Sequence, residues 1–101
     1  MESEQSLVDI ESAFETAKAD RMKAKVQLEA AKGTLHMRLM ARRAAGESLT
    51  IADMEAIKAA AIDNDDTVKG YYLAFIESDS NYRSKKVAWE AAKRSYWDSR
   101  Q

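Results

Sequence analysis

Hydrophobic positions in the first half of the chain recur at alternating steps of three and four. Leu7, Ile10, Phe14, Ala17, Arg21, Ala24, Leu28, Ala31, Leu35, Arg38 and Arg42 form one such row, the pattern of a helix packed along a partner helix. The row opens with large apolar side chains, narrows to alanines and ends in arginines. Only Gly33 weakens a helix here, by roughly 1 kcal/mol relative to alanine. The spacing therefore predicts one helix over about residues 5–45. A second apolar row, Met22, Val26, Met37 and Met40, lies off the first. It reads as a packing surface against another subunit, or as a flexible methionine surface for varied partners.

The middle of the chain carries the clearest stop and start signals. Gly46 follows the arginine-rich end of the first helix, where a terminating glycine belongs. Thr50 is placed as an N-cap with Asp53 as its capping-box partner, and Leu49 and Met54 are placed as a hydrophobic staple. A short helix over about 51–62 follows, with Ile51, Met54, Ile57, Ala61 and Ile62 on its apolar side. The acidic run from Asp63 to Asp66 fails as a calcium loop, because Val68 and Ala74 stand where glycine and glutamate are needed. Its simpler role is to cap the next helix through Asp65, Asp66 or Thr67.

The third segment, about 66–99, places Val68, Tyr71 or Tyr72, Phe75, Tyr82, Trp89 and Tyr96 on one face. Four of these aromatics keep an interval of seven residues. The positions between them are Asp79, Lys86 and Lys93 in one phase, or Ser78, Lys85 and Ala92 in the other. Such a register is the mark of a packing seam; base-stacking platforms need exposure but no register. Phe75, Tyr82 and Trp89 are therefore expected to pack over the alanines of the first helix. Tyr96 and the off-register Trp97 are left to contact something outside.

Two long helices joined by a short one predict an all-α fold: a long antiparallel, coiled-coil-like hairpin forming a single domain over residues 1–101. Charge agrees with this pairing. Residues 1–20 carry a net −5, 21–46 carry +6, 47–81 carry −6 and 82–101 carry +4. Antiparallel helices set each basic block beside an acidic one. Apolar residues such as Leu73, Ile76, Val87 and Trp97 remain without an intrachain partner in such a hairpin, and a homo-oligomer is the expected remedy.

Composition adds exclusions. There is no proline and no cysteine, so disulfide and thiolate-metal chemistry are out. The N-terminal residues lack the pattern of a signal peptide, and no apolar run approaches the ~18 residues of a membrane span. The expectation is a soluble cytoplasmic protein without membrane association. His36 is the sole histidine, no serine sits beside a plausible base, and no phosphate loop or dinucleotide fingerprint occurs. An enzyme is not expected, and no cofactor or metal site is assigned.

Candidate chemistry is thus confined to surfaces. Lys23, Lys25, Lys32, Arg38, Arg42 and Arg43, together with Arg21, concentrate positive charge on the first helix and can neutralise phosphates of a single strand. The plainer reading is a solvated face engaged in salt bridges with acidic neighbours. Met37, Met40, Tyr96 and Trp97 are the candidate partner contacts.

The order of parts is a basic helix, "KVQLEAAKGTLHMRLMARR", a short capped helix, "SLTIADMEAIKAA", and a long aromatic helix, "YYLAFIESDSNYRSKKVAWEAAKRSYWDSR". Over roughly residues 20–101 this resembles the small helical proteins of phage recombination modules, in outline the UvsY-type recombination mediators. The resemblance implies a small helical oligomer in the cytoplasm of a bacterial host. It implies binding to single-stranded DNA and help in loading a RecA-type recombinase onto strands covered by single-strand-binding protein. Basic residues late in the first helix would make the DNA contacts, at Lys32, Arg38, Arg42 and Arg43, followed by Lys23 and Lys25. The competing expectation is a helical interaction protein with no nucleic acid, such as a phage-encoded inhibitor of a host protein or an assembly scaffold.

Overall fold

The computed structural model describes residues 2–100, with side chains from residue 6 to residue 100. The fold is all-α: α1 spans Glu2–Ala44, α2 Ile51–Asn64 and α3 Asp66–Arg100, with no strand among the described residues. It is the helical hairpin that the sequence predicts, with α2 in the connection. Contacts cluster in two units, one of residues 1–23 with 76–101 and one of residues 24–75.

Each helix end is closed by identifiable hydrogen bonds. At the end of α1, Gly46 takes φ +101°, a conformation that costs a side-chain-bearing residue. Its N–H donates to the Arg43 carbonyl at 3.1 Å, and the Glu47 N–H donates to the Arg42 carbonyl at 3.1 Å. This is a Schellman closure. Where such closures usually carry an apolar contact, the Arg42 guanidinium instead pairs with the Glu47 carboxylate across the turn. Thr50 and Asp53 form the full capping box at the start of α2. Leu49 packs onto the cluster that contains Met54, as the staple requires.

Asp65 alone separates α2 from α3 and serves both. Its N–H donates back to the Ala61 carbonyl. Its carboxylate accepts from the N–H groups of Thr67 and Val68, both at 3.0 Å. Of the three candidate caps for α3, Asp65 is the one used.

In the unit of residues 24–75, Leu28, Leu35, Leu39, Met54, Ala61 and Val68 are buried together, flanked by Ala31, Leu49, Ile57, Ile62, Tyr72 and Phe75. Two expectations need correction here. Leu39 is 1% exposed, whereas the predicted row continued through Arg38 and Arg42, which are exposed. A straight helix drifts ~20° per heptad against a strict seven-residue repeat, and α2 packs beside Leu35 on the same side. The buried face therefore steps from Leu35 to Leu39, and the arginines turn out. Ile51, the first residue of α2 and assigned to its apolar side, is exposed. Between the tyrosines, Tyr72 faces the core and Tyr71 is exposed.

In the unit of residues 1–23 with 76–101, α1 and α3 lie antiparallel with Phe14 at the centre. The Phe14 ring stacks on Tyr82 at 5.6 Å between centroids and on Trp89 at 4.9 Å, nearly parallel to the latter. The aromatic register is thus a packing seam, and its Tyr82 and Trp89 rungs meet a phenylalanine; Ala17, one turn from Phe14 on α1, is buried as well. Phe75, Tyr82 and Trp89 are half-buried rather than enclosed. The polar gaps follow no single phase: Ser78, Asp79 and Ala92 turn partly inward, while Lys85, Lys86 and Lys93 face out.

Candidate interaction surfaces

Electrostatics inside the hairpin are built first, because they decide which cations remain available. Arg21 holds its place on the α1 seam by meeting Asp79 of α3. Its Nε lies 2.6 Å from Oδ1, its guanidinium sits over the Tyr82 ring at 5.3 Å, and Arg83 binds the other carboxylate oxygen at 2.9 Å. The hydrogen bond from Arg21, reinforced by the charges of Arg83 and Arg21, holds the Asp79 carboxyl below its ordinary pKa against the opposing effect of partial burial. The Asp65 carboxyl is also lowered, first by the Val68 N–H, with help from Arg38 at 3.2 Å.

These pairs realise the match between the basic 21–46 block and the acidic 47–81 block. They also use up cations. Of the six candidate nucleic-acid contacts, Arg38 pairs with Asp65, Arg42 with Glu47, and Lys32 with Glu29 at 3.8 Å. Lys23, Lys25 and Arg43 are exposed, and among the described residues no carboxylate lies within 4.0 Å of them. The six do not share one face. At ~3.6 residues per turn, Lys25, Lys32 and Arg43 fall along one side of α1, Lys23 and Arg38 along the other, and Arg42 between Arg38 and the buried side.

The methionine row is more coherent. Val26, Ala30, Gly33, Met37, Met40 and Ala44 follow steps of four and three along α1, which aligns them on one face. Met22 continues it one turn earlier. Every one of these residues is exposed. The large members expose 56% (Met22), 61% (Val26), 72% (Met37) and 46% (Met40) of their surface. No charged residue interrupts the row from Val26 to Ala44. It lies opposite the face that carries Leu28, Leu35 and Leu39.

Gly33 stands in the middle of this row. A Cβ added there meets nothing within 4 Å, so no contact among the described residues requires a glycine. The sequence reading identified Met22, Val26, Met37 and Met40 but missed that Ala30, Gly33 and Ala44 complete the row. The signal was the same three-four spacing, hidden because small residues do not register as hydrophobic anchors.

At the C-terminal end of α3, Trp97 is 57% exposed and meets the half-buried Tyr96 edge to face at 5.5 Å. Arg100 lies over the Tyr96 ring at 4.6 Å and Lys93 over Trp89 at 4.0 Å. Trp97 is thus presented outward, whereas Tyr96 is half-buried and lines a groove with Leu7 and Ile10 of α1. His36 is exposed, its Nδ1 3.2 Å from Lys58 Nζ, and Lys58 pairs with Glu55 at 2.8 Å. The hydrogen bond from Lys58 lowers the Glu55 pKa.

No helix among the described residues is long and apolar enough to cross a membrane. Among the same residues, no group of three or more histidine, aspartate and glutamate side chains is placed to hold a metal ion. No family model matches the chain, and neither a curated protein nor a solved structure matches it.

Proposed function

We propose that this protein is a non-enzymatic helical docking module acting in the cytoplasm, and that the outer face of α1 is the surface on which its partner lies. The observation that carries this reading is the uninterrupted apolar row from Val26 to Ala44. Exposed apolar side chains scattered singly are ordinary, but a contiguous patch on an otherwise charged surface is a mark of an interaction site. A helix that is buried on one face and apolar on the opposite one has two faces to cover, and the hairpin covers only the first. Methionines suit such a face because their side chains adapt to the partner's shape.

The test is co-purification from cells of the source organism. A partner recovered in stoichiometric amount with the native chain is expected to be lost from Met37→Lys with Met40→Lys. It is expected to be retained by Val8→Lys, at an exposed apolar residue outside the row. Equal recovery with both variants would refute the role of this face.

A second reading is favoured by one specific feature, the three exposed cations Lys23, Lys25 and Arg43. Here the protein binds single-stranded DNA and, as the resemblance to UvsY-type mediators implies, assists a recombinase or a single-strand-binding protein. With three phosphates neutralised, affinity for oligothymidine would fall with salt at a log–log slope of about −2. Replacing the three cations by alanine would abolish it. No anisotropy change at low salt would end this reading.

A further inference from the structure

We infer that the occupant of the α1 outer face is an amphipathic helix of another protein, with carboxylates along the edges of its apolar side. This rests on the reading of α1 as a docking helix and adds the chemistry of the partner. Two observations carry it.

The first is the glycine. Gly33 lowers the intrinsic stability of α1, and no contact among the described residues compensates, since an added Cβ would meet open space. With Ala30 one turn before it, Gly33 makes a shallow saddle between Val26 and Met37. A saddle of small residues lets a second backbone approach closely, and a helix is a regular rod that can follow the whole of such a straight row.

The second is charge. The edges of the row carry Lys23, Lys25 and Arg43, exposed and without a carboxylate within 4.0 Å among the described residues. The one acid there, Glu29, is already paired with Lys32. A second copy of this chain docking through the same face would set like against like. In an antiparallel pair centred on Gly33, Lys25 lies beside the Arg43 of the other copy along the same edge; in a parallel pair Lys23 meets the Lys25 of the other copy across the seam. The outer face of α3 does not supply the missing acids either. Around Leu73, Ile76 and Val87 it mixes Lys69, Arg83 and Arg94 with Asp66, Glu77 and Glu90. Opposite charges at the rim steer association and reject wrong partners, so the face fits an acid-edged helix.

The probes are two synthetic helical peptides, identical in a leucine heptad row and differing only in glutamate or lysine at the flanking positions. Titration of the full chain by fluorescence anisotropy is expected to show binding of the glutamate peptide that weakens with salt, and none of the lysine peptide. Gly33→Leu is expected to weaken that binding by about tenfold or more, since overpacking a close contact costs on the order of one factor of ten or greater, while the circular dichroism of the chain is unchanged.

Equal binding of both peptides would overturn the charge assignment and leave the docking face standing. Binding of neither would overturn the inference. So would a dimer in light scattering that Met37→Lys dissociates, because the occupant would then be a second copy. Oligothymidine binding that Met37→Lys leaves intact and the glutamate peptide fails to displace, with no peptide bound, would overturn the docking reading as well.

Discussion

Phe14→Ala is the sharpest test of how the 1–23 and 76–101 segments hold together. The ring is 7% exposed and lies between Tyr82 and Trp89. Removing it forfeits about 2 kcal/mol of transfer free energy. Each lost aromatic pair adds about 0.5–1.5 kcal/mol. The cavity contribution is small, because Tyr82 and Trp89 are half-buried and water reaches the gap. The total is about 3–5 kcal/mol, the range found for truncating a buried phenylalanine. That is a large share of the stability of a domain this size, and for about 100 residues it corresponds to a fall in Tm of about 15–25 °C. Thermal unfolding followed by circular dichroism reads the shift, and tryptophan fluorescence of a Trp97→Phe background reports the local change at Trp89. A loss below about 1 kcal/mol would refute the reasoning, since it would mean that the stacked rings contribute no more than an exposed contact.

Three further outcomes follow from the same geometry. Leu39→Ala should cost about 2–5 kcal/mol in urea unfolding, while Arg42→Ala stays within about 1 kcal/mol; the reverse order would restore the unbroken heptad row. Gly33→Ala should raise stability by about 1 kcal/mol, and a fall would show that Gly33 is needed within the chain. Asp79, Asp65 and Asp53 all titrate below the ordinary aspartate value, so near pH 4 and below the unfolded chain binds more protons than the folded one. Their stabilisation is complete above the unfolded pKa and is lost as pH falls through the folded values. Asp79→Asn should therefore flatten the acid limb of a stability–pH profile, and an unchanged slope would contradict the Arg21–Asp79–Arg83 arrangement.

The hairpin was legible because each of its signals is local. Gly46, Thr50 with Asp53, and the acidic run at Asp65 are cap chemistry, readable from a few neighbouring residues. Block charge then set which segments lie together. What periodicity could not show was the step from Leu35 to Leu39. A strict seven-residue repeat is a coiled-coil idealisation, and the arrival of α2 beside Leu35 changes which sector of α1 is buried. Phe14 was placed on the seam, yet its position between Tyr82 and Trp89 depends on the stagger of two helices, which no single-helix pattern contains. The cations illustrate another limit. Composition groups Lys23, Lys25, Lys32, Arg38, Arg42 and Arg43, but their distribution around the helix and their pairing with Asp65, Glu47 and Glu29 emerge only in three dimensions. The outer row was half visible, through its methionines. Its alanines and Gly33 acquire meaning only once the opposite face of α1 is known to be buried.

The most direct measurement is a methyl NMR titration of the methionines in the purified chain with the glutamate-edged helical peptide. Met22, Met37 and Met40 lie on the outer row of α1, and Met54 is 3% exposed in the core, so it serves as an internal reference. Selective, saturable shifts of Met37 and Met40, followed by Met22, with Met54 unmoved, are the predicted result. Shifts confined to Met54, or no shifts at all, would contradict the account of α1 as a docking helix.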